Sequence, residues 1–178
     1  EDCDIIVGDV NPFRGGEPES GVIFELGIGF AKNKKLYSFL RDRRNAIHRY
    51  PVGHFDEKGG IIDEHGMWYA EALTPGNLMY TVPSKVVEGT FEDCLKTIVI
   101  DLIEEAKERG QRITPRLDRR GEATWPVEPG KFRAYLAGTE IFRLDAKEVG
   151  IHYEELCKKY GFEGIYPADD AKDLDKSP

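Results

Sequence analysis

Three consecutive stretches decide the fold: CDIIVGDV (Cys3–Val10), ESGVIFELGIG (Glu19–Gly29) and KLYSFL (Lys35–Leu40). The first is a short apolar run rich in β-branched residues, ending in Gly, Asp and Asn. That is the pattern of a buried parallel strand whose carboxyl end opens into a loop. The loop from Asn11 to Glu19 is too rich in Pro and Gly to be regular. Ser20 stands where a helix cap is expected, and the helix after it should end near Lys32-Asn33-Lys34, where cations suit a helix carboxyl terminus. Lys35–Leu40 reads as a second strand. Strand, helix and strand make a βαβ unit, which implies a parallel sheet with right-handed crossovers. In such sheets ligands bind beyond the carboxyl ends of the strands, which is where the Asp9-to-Glu25 region lies.

Glu25 is the anomaly inside that unit. Its helical neighbours three and four positions away are Gly21, Val22, Ile28 and Gly29, so no Lys or Arg is placed to pair with it along the helix. A carboxylate on an apolar helix without a local partner loses hydration for no visible gain. It is turned to solvent, paired from elsewhere in the fold, or kept for chemistry.

The rest of the chain supports an α/β reading. Arg41 to Pro75 reads as long and irregular, the kind of segment used as a lid, a subunit contact or a mobile loop. It holds DRRN (Asp42–Asn45) and three of the four histidines, none in a defensible triad or metal spacing. Gly76–Tyr80 is its compact apolar end. Lys85–Glu88 reads as a strand. Thr90 can cap a helix from Phe91 to about Arg109, where Phe91, Leu95, Ile98, Leu102 and Ala106 recur at helical spacing. Gly110–Lys131 has the Pro-rich polar character of a linker. Phe132–Ala137 reads as a strand ending at Gly138, Asp145–Tyr160 as an amphipathic helix stopped by Gly161, and Gly164–Pro167 as a last short strand. An acidic tail, residues 168–178, follows.

Composition sets the outer bounds. The 178 residues are 40% hydrophobic and 33% charged with a net charge of -8. This suits a soluble globular domain and argues against a protein that tracks a nucleic-acid polymer, which needs clustered Lys and Arg. No apolar run approaches the ~20 residues that cross a bilayer, and no signal peptide is evident. Cys3, Cys94 and Cys157 are odd in number and widely spaced, so reduced buried thiols in a cytoplasmic protein are expected.

Several of these segments together resemble the nucleoside 2-deoxyribosyltransferases: CDIIVGDVNPFRGGEPESGVIFELG (Cys3–Gly27), DRRN, GNLM (Gly76–Met79) and RAYLAGTEIF (Arg133–Phe142) with the helix and YPADD that follow. The resemblance implies a flavodoxin-like three-layer α/β/α fold with a parallel sheet of about five strands. It also implies transfer of 2-deoxyribose between nucleobases by double displacement, with no metal or organic cofactor. A carboxylate attacks the anomeric carbon, the base leaves, and a second base displaces the covalent sugar.

Residue by residue, the resemblance puts Glu25, the Glu of FELG, at the nucleophile and Tyr135 in the strand tyrosine that orients it. Tyr135 is otherwise a sheet aromatic of the core. Glu19 stands where the family usually has Asp, an acid that contacts the sugar; its alternative role is a helix-start acid favoured by the dipole. Gly138 would let backbone approach the sugar. Asp9 and Arg14 would border the site, Arg14 alternatively tying its loop down. Asn77 and Met79 match the family's NLM, which reaches into a neighbouring subunit's pocket, so the implied assembly is at least a homodimer; otherwise Leu78 and Met79 are core and Asn77 a turn residue. Asp169, with Asp170, follows the last strand where the family reads the base edge, although acidic tails are commonly just solvated.

The order of the segments differs from the family's. The part like Arg133–Asp170 comes first there, so this chain divides into a C-terminal-type half (1–109), a linker (110–131) and an N-terminal-type half (132–178). A circular permutation, a slice across tandem domains and residues missing at both ends each account for it. The joining helix, which carries a further active-site acid in the family, is expected to be absent from these 178 residues except for Glu1-Asp2-Cys3, which resembles its last turn. Two rival functions stay open: an N-glycosidase acting on nucleosides or nucleotides with water as acceptor, and a non-catalytic nucleoside-binding module.

Overall fold

The computed structural model describes residues 3–14, 16–48, 52–63, 65–68, 73–110, 116–117, 123–124 and 132–167. The acidic tail with Asp169 and Asp170, and most of the 110–131 connection, lie outside the described residues.

The frame is a five-stranded parallel sheet. Strands β1 (Ile5–Asp9), β2 (Lys35–Leu40), β5 (Lys85–Glu88), β8 (Phe132–Ala137) and β9 (Phe162–Ile165) lie in the spatial order β5-β2-β1-β8-β9. Both halves of the chain therefore build one sheet, with β8 of the second half paired directly to β1 of the first. Chain direction reverses about this β1–β8 junction. From β1 the chain moves outward to β2, and from β8 it moves outward the other way to β9, which makes the junction the topological switch point.

Strand alternation sorts the core into two layers. Ile5 and Val7 of β1 and Tyr37 and Phe39 of β2 face one side, where they pack with Leu95, Ile98 and Val99 of α3 (Phe91–Glu108) and with Cys157 of α4 (Ala146–Lys159). Ile6, Leu36 and Leu40 face the other, against Val22 and Leu26 of α1 (Ser20–Ala31) and Tyr80 of the short α2 (Leu78–Thr81). The result is the three-layer α/β arrangement. Gly29 is what lets α1 sit close to the sheet, because a Cβ there would stand 2.5 Å from Ile6 Cδ1 and 2.7 Å from Leu36 Cδ2. α3 starts on a capping box, with Thr90 and Asp93 each accepting from the other's backbone N–H, worth about 1 kcal/mol. α4 stops at Gly161, whose φ of 86° suits a residue without Cβ.

Three local expectations change. The α1 cap is Glu19 and not Ser20: Glu19 Oε2 accepts from Val22 N at 3.1 Å, and Ser20 is the first helical residue. The last strand runs Phe162–Ile165, two residues earlier than Gly164–Pro167, because the buried Phe162 anchors its register opposite Phe132. The segment 41–75 is not wholly irregular. It holds a 3₁₀ turn (Ala46–His48) and a hairpin of β3 (Val52–Phe55) and β4 (Ile61–Asp63). Asp56 closes that hairpin, its Oδ1 accepting from Lys58 N at 2.8 Å and Gly60 N at 2.6 Å. A further two-residue ladder, β6 (Arg116–Leu117) with β7 (Ala123–Thr124), falls within the expected linker. All three cysteines are buried free thiols; burial pushes Cys157 up to about 12 and Cys94 upward as well.

Candidate active site

Glu25 does have a partner, and it comes from across the fold. Val22, Leu26 and Gly29 form the buried stripe of α1. Glu25 sits on the flank of that stripe, three residues after Val22, and is half-buried. Beneath it runs β8, where Tyr135 lies in register with Ile6 of β1 and Ile165 of β9. Tyr135 packs with the α1-side core, and its hydroxyl donates to Glu25 Oε1 at 2.7 Å. The two side chains line a cavity of about 310 Å3 whose other walls include Ile6, Phe24, Ile28 and Lys32. A half-buried carboxylate that accepts from a tyrosine hydroxyl beside an apolar wall is equipped to act as a nucleophile or as an electrostatic anchor.

The remaining candidates fall elsewhere. Asp9 ends β1 almost fully buried, at 6% exposure, and its Oδ1 accepts from Asn11 N at 2.8 Å and Asn11 Nδ2 at 2.6 Å. Asn11 in turn accepts from Arg41 N at 2.9 Å, which ties the end of β1 to the end of β2. Asp9 lines a larger cavity of about 760 Å3 beyond the carboxyl ends of the strands, with Asn11, Phe13, Arg41, Glu140 and Phe142. The two cavities share no lining residue. Glu25 with Tyr135 and Asp9 with its neighbours are thus two separate groups. Arg14 is exposed, with its guanidinium 5.0 Å from the centre of the Phe13 ring, and Phe13 stacks on Phe142 at 5.7 Å; this docks the loop after β1 onto the turn after β8.

Glu19 has its carboxylate engaged in the helix cap. Asn77 likewise caps its own short helix, Oδ1 accepting from Met79 N at 2.9 Å, while Met79 is 72% exposed. Neither Asn77 nor Met79 lines either cavity, and Asp169 lies outside the described residues. Gly138 is extended, and the space its missing Cβ leaves is filled: a Cβ would stand 2.3 Å from Glu140 Oε2 and 3.6 Å from Asp9 Cβ. That space is taken by the carboxylate end of Glu140.

Glu140 is the residue that sequence reasoning missed. It lies in a 3₁₀ turn (Thr139–Phe142) just after β8, takes a hydrogen bond from Tyr153 Oη on Oε1 at 3.1 Å, and holds a fully buried Oε2 without a hydrogen-bond partner in the space over Gly138, which Asp9 also borders. Burial first, and then the neighbouring Asp9, pushes its carboxyl up to about 7. The available signal was an acid directly behind a strand-ending Ala-Gly and among apolar residues. Among the described residues no group of three or more His, Cys, Asp or Glu is arranged to hold a metal ion, and no helix is long and apolar enough to cross a membrane.

Fold and site define the class: a three-layer parallel α/β protein with a helix carboxylate held by a strand tyrosine. Residues 1–79 match the family model described as nucleoside 2-deoxyribosyltransferase, so this segment, a little under half of the chain, is similar to that family. Among solved structures, a "2-desoxiribosyltransferase from Leishmania mexicana" is similar at 32% identity, over 54% of this chain and 57% of that one, with a TM-score of 0.42. This chain therefore spans little more than half the length of that relative. Comparison with curated proteins finds no match.

Proposed function

We propose that the protein transfers 2-deoxyribose from one nucleobase to another through a covalent sugar–Glu25 intermediate. The observation that carries this reading is the 2.7 Å hydrogen bond from Tyr135 to Glu25, the latter lying within residues 1–79, which match the nucleoside 2-deoxyribosyltransferase family model. Tyr135 fixes the carboxylate through Oε1, and Oε2 is the attacking atom. As the Oε2–C1′ bond forms, the C1′–N bond breaks, and its electron pair leaves on the base nitrogen, which takes up a proton from water. A second base then attacks C1′ through nitrogen, the C1′–O bond breaks with its pair returning to the carboxylate, and the new nucleoside gives its N–H proton back to water, so the exchange consumes no net proton. Two inversions retain configuration.

Subunit association belongs to the same reading. α1 is apolar nearly all round, and Phe24 (70% exposed) and Ile28 (40%) point away from its buried stripe. On α2, which packs beside α1, Met79 and Val82 are 72% and 76% exposed. Helices of this kind are normally covered. A homodimer or larger assembly that buries this face would bring Asn77 and Met79 of one subunit toward the next. Sedimentation analysis checks it: a monomer at micromolar concentration would end this part of the reading.

The deciding experiment incubates the protein with a deoxynucleoside and a different free base. Exchanged nucleoside is expected, together with a deoxyribosyl adduct on Glu25 after rapid denaturation and mass spectrometry. Free base and free sugar without exchange would identify a hydrolase, and no turnover with retained binding a nucleoside-binding module.

A further inference from the structure

We propose that Asp9 and Glu140 form a proton-operated latch across the β1–β8 junction. With one proton between the two carboxyls, the Thr139–Phe142 turn is closed onto the end of β1; without it, the turn lifts and the 760 Å3 cleft at the carboxyl edge of the sheet widens.

The structure shows the closed state. Asp9 is almost fully buried at the end of β1, and Glu140 belongs to the turn that follows the adjacent strand β8. Both carboxylates only accept hydrogen bonds when ionised, so Glu140 Oε2, fully buried in the space over Gly138 that Asp9 also borders, then has no donor. A single shared proton converts that contact into a carboxyl–carboxylate hydrogen bond. The other oxygens are already served: Tyr153 donates to Glu140 Oε1 and Asn11 donates twice to Asp9 Oδ1. Only the facing pair of oxygens changes with the proton.

The surroundings do not neutralise the pair. Arg143, on the same turn, is bound through both Nε and Nη2 to Asp145 at 2.7 Å. Arg41, arriving from β2, lines the cleft with His48, Asp42 and Arg44, the last two bound to each other, and among the described residues none of the three cationic or imidazole side chains is ion-paired to Asp9 or Glu140. Glu92 of α3 and His152 of α4 line the adjoining cavity of about 300 Å3, and Tyr166 beyond β9 backs the same region. Glu92 adds negative charge and is itself tied to Lys159 and Tyr160. The carboxyl of Glu140 accordingly sits at about 7, so the proton leaves across the neutral range. The Phe13–Phe142 stack is what must part when the turn moves.

Hydrogen exchange on the full chain tests this without reference to activity. After correction for the intrinsic pH dependence of exchange, amides of residues 139–143 should exchange about tenfold faster at pH 8 than at pH 6, following the loss of the shared proton. In Glu140→Gln the amide donates to Asp9 at every pH, so the turn should stay closed and the ratio fall to about one. Should that variant not fold, Asp9→Asn supplies the same permanent donor toward Glu140. Carboxyl carbon NMR should show one acid in the described core titrating near neutrality. A wild-type turn whose corrected exchange is flat from pH 6 to 8, or a Gln or Asn variant that opens as the wild type does, overturns the latch.

Discussion

Glu25 and Glu140 are both half-buried acids beside the same strand, yet their partners give them opposite chemistry. Glu25 lies over the middle of β8 and meets a phenol hydroxyl, which completes the contact by donating. Glu140 lies past the carboxyl end of β8; one of its oxygens also accepts from a phenol, Tyr153, but the other is buried without a donor beside the Asp9 carboxyl, and burial with that neighbouring acid raises its pKa to about 7. A donor partner suits a carboxylate that works as an anion, while an acid partner retains a proton at neutral pH. What sets the role of each acid is the atom that faces it, more than its degree of burial.

The strongest way to break this comparison is to remove the anion. Glu25→Ala should reduce base exchange by roughly 10⁴-fold, as for other residues that carry a covalent step. Steady-state exchange kinetics measure it, and an undiminished rate would remove Glu25 from the mechanism. Thermal stability should change little, because the side chain is only half-buried.

Tyr135→Phe is the next step down. It deletes one hydrogen bond to a charged group, about 1.5–3 kcal/mol, and so should lower kcat/KM by roughly 10- to 150-fold. The loss should fall mainly on kcat, since the tyrosine positions the nucleophile. A pure KM effect would instead make Tyr135 a wall of the cavity.

Glu140→Gln addresses the other acid. Folding holds the Glu140 proton more tightly than the unfolded chain does, so the native state binds more protons between the ordinary Glu range and about pH 7. Wild-type stability should therefore be highest below that window, fall by about 1–2 kcal/mol as pH rises through it, and level off above pH 7, a figure reduced for the partial exposure of the group. Denaturant melts at a series of pH values should show this slope in the wild type and not in Glu140→Gln. An equal slope in both would place the titrating group elsewhere.

Much of the fold was legible because its signals are local. The β-branched run of β1, the spacing of Phe91 to Ala106 and the Thr90 cap each determine their own element. The hairpin in segment 41–75 was not, because its turn is held by Asp56 reaching forward to two backbone N–H groups across Gly59, in a stretch whose charge and glycine content read as loop. At the site, the sequence singled out Glu25 by its lack of a helical partner, and a strand tyrosine does meet it. Glu140 was illegible for the converse reason. Its partners Asp9 and Tyr153 are 131 and 13 residues away, and an acid after a strand reads as solvated until β1 and β8 are known to be neighbours. Gly138, two residues before it, reads in the sequence as room for the sugar, and in the folded chain Glu140 Oε2 borders that space.

Glu19 gives the smallest effect and the finest test, because it stands six residues before Glu25 on the same helix and its carboxylate is already bonded to Val22 N and to Ser20 Oγ. Replacing it with Ala should cost about 1 kcal/mol of stability through the lost cap, and Glu19→Asp should restore most of that, since Asp is among the preferred capping residues. If capping is all the residue does, the Asp variant keeps the KM of the parent for deoxynucleoside, and the Ala variant loses stability without losing affinity. If the acid also reaches the sugar, shortening it by one methylene should move KM even where the melting temperature is unchanged. The two readouts separate because the cap is satisfied within the helix start, whereas a sugar contact exists only with substrate bound. A KM shift in Glu19→Asp would join this helix start to the Glu25 cavity and make the acids of α1 a single site.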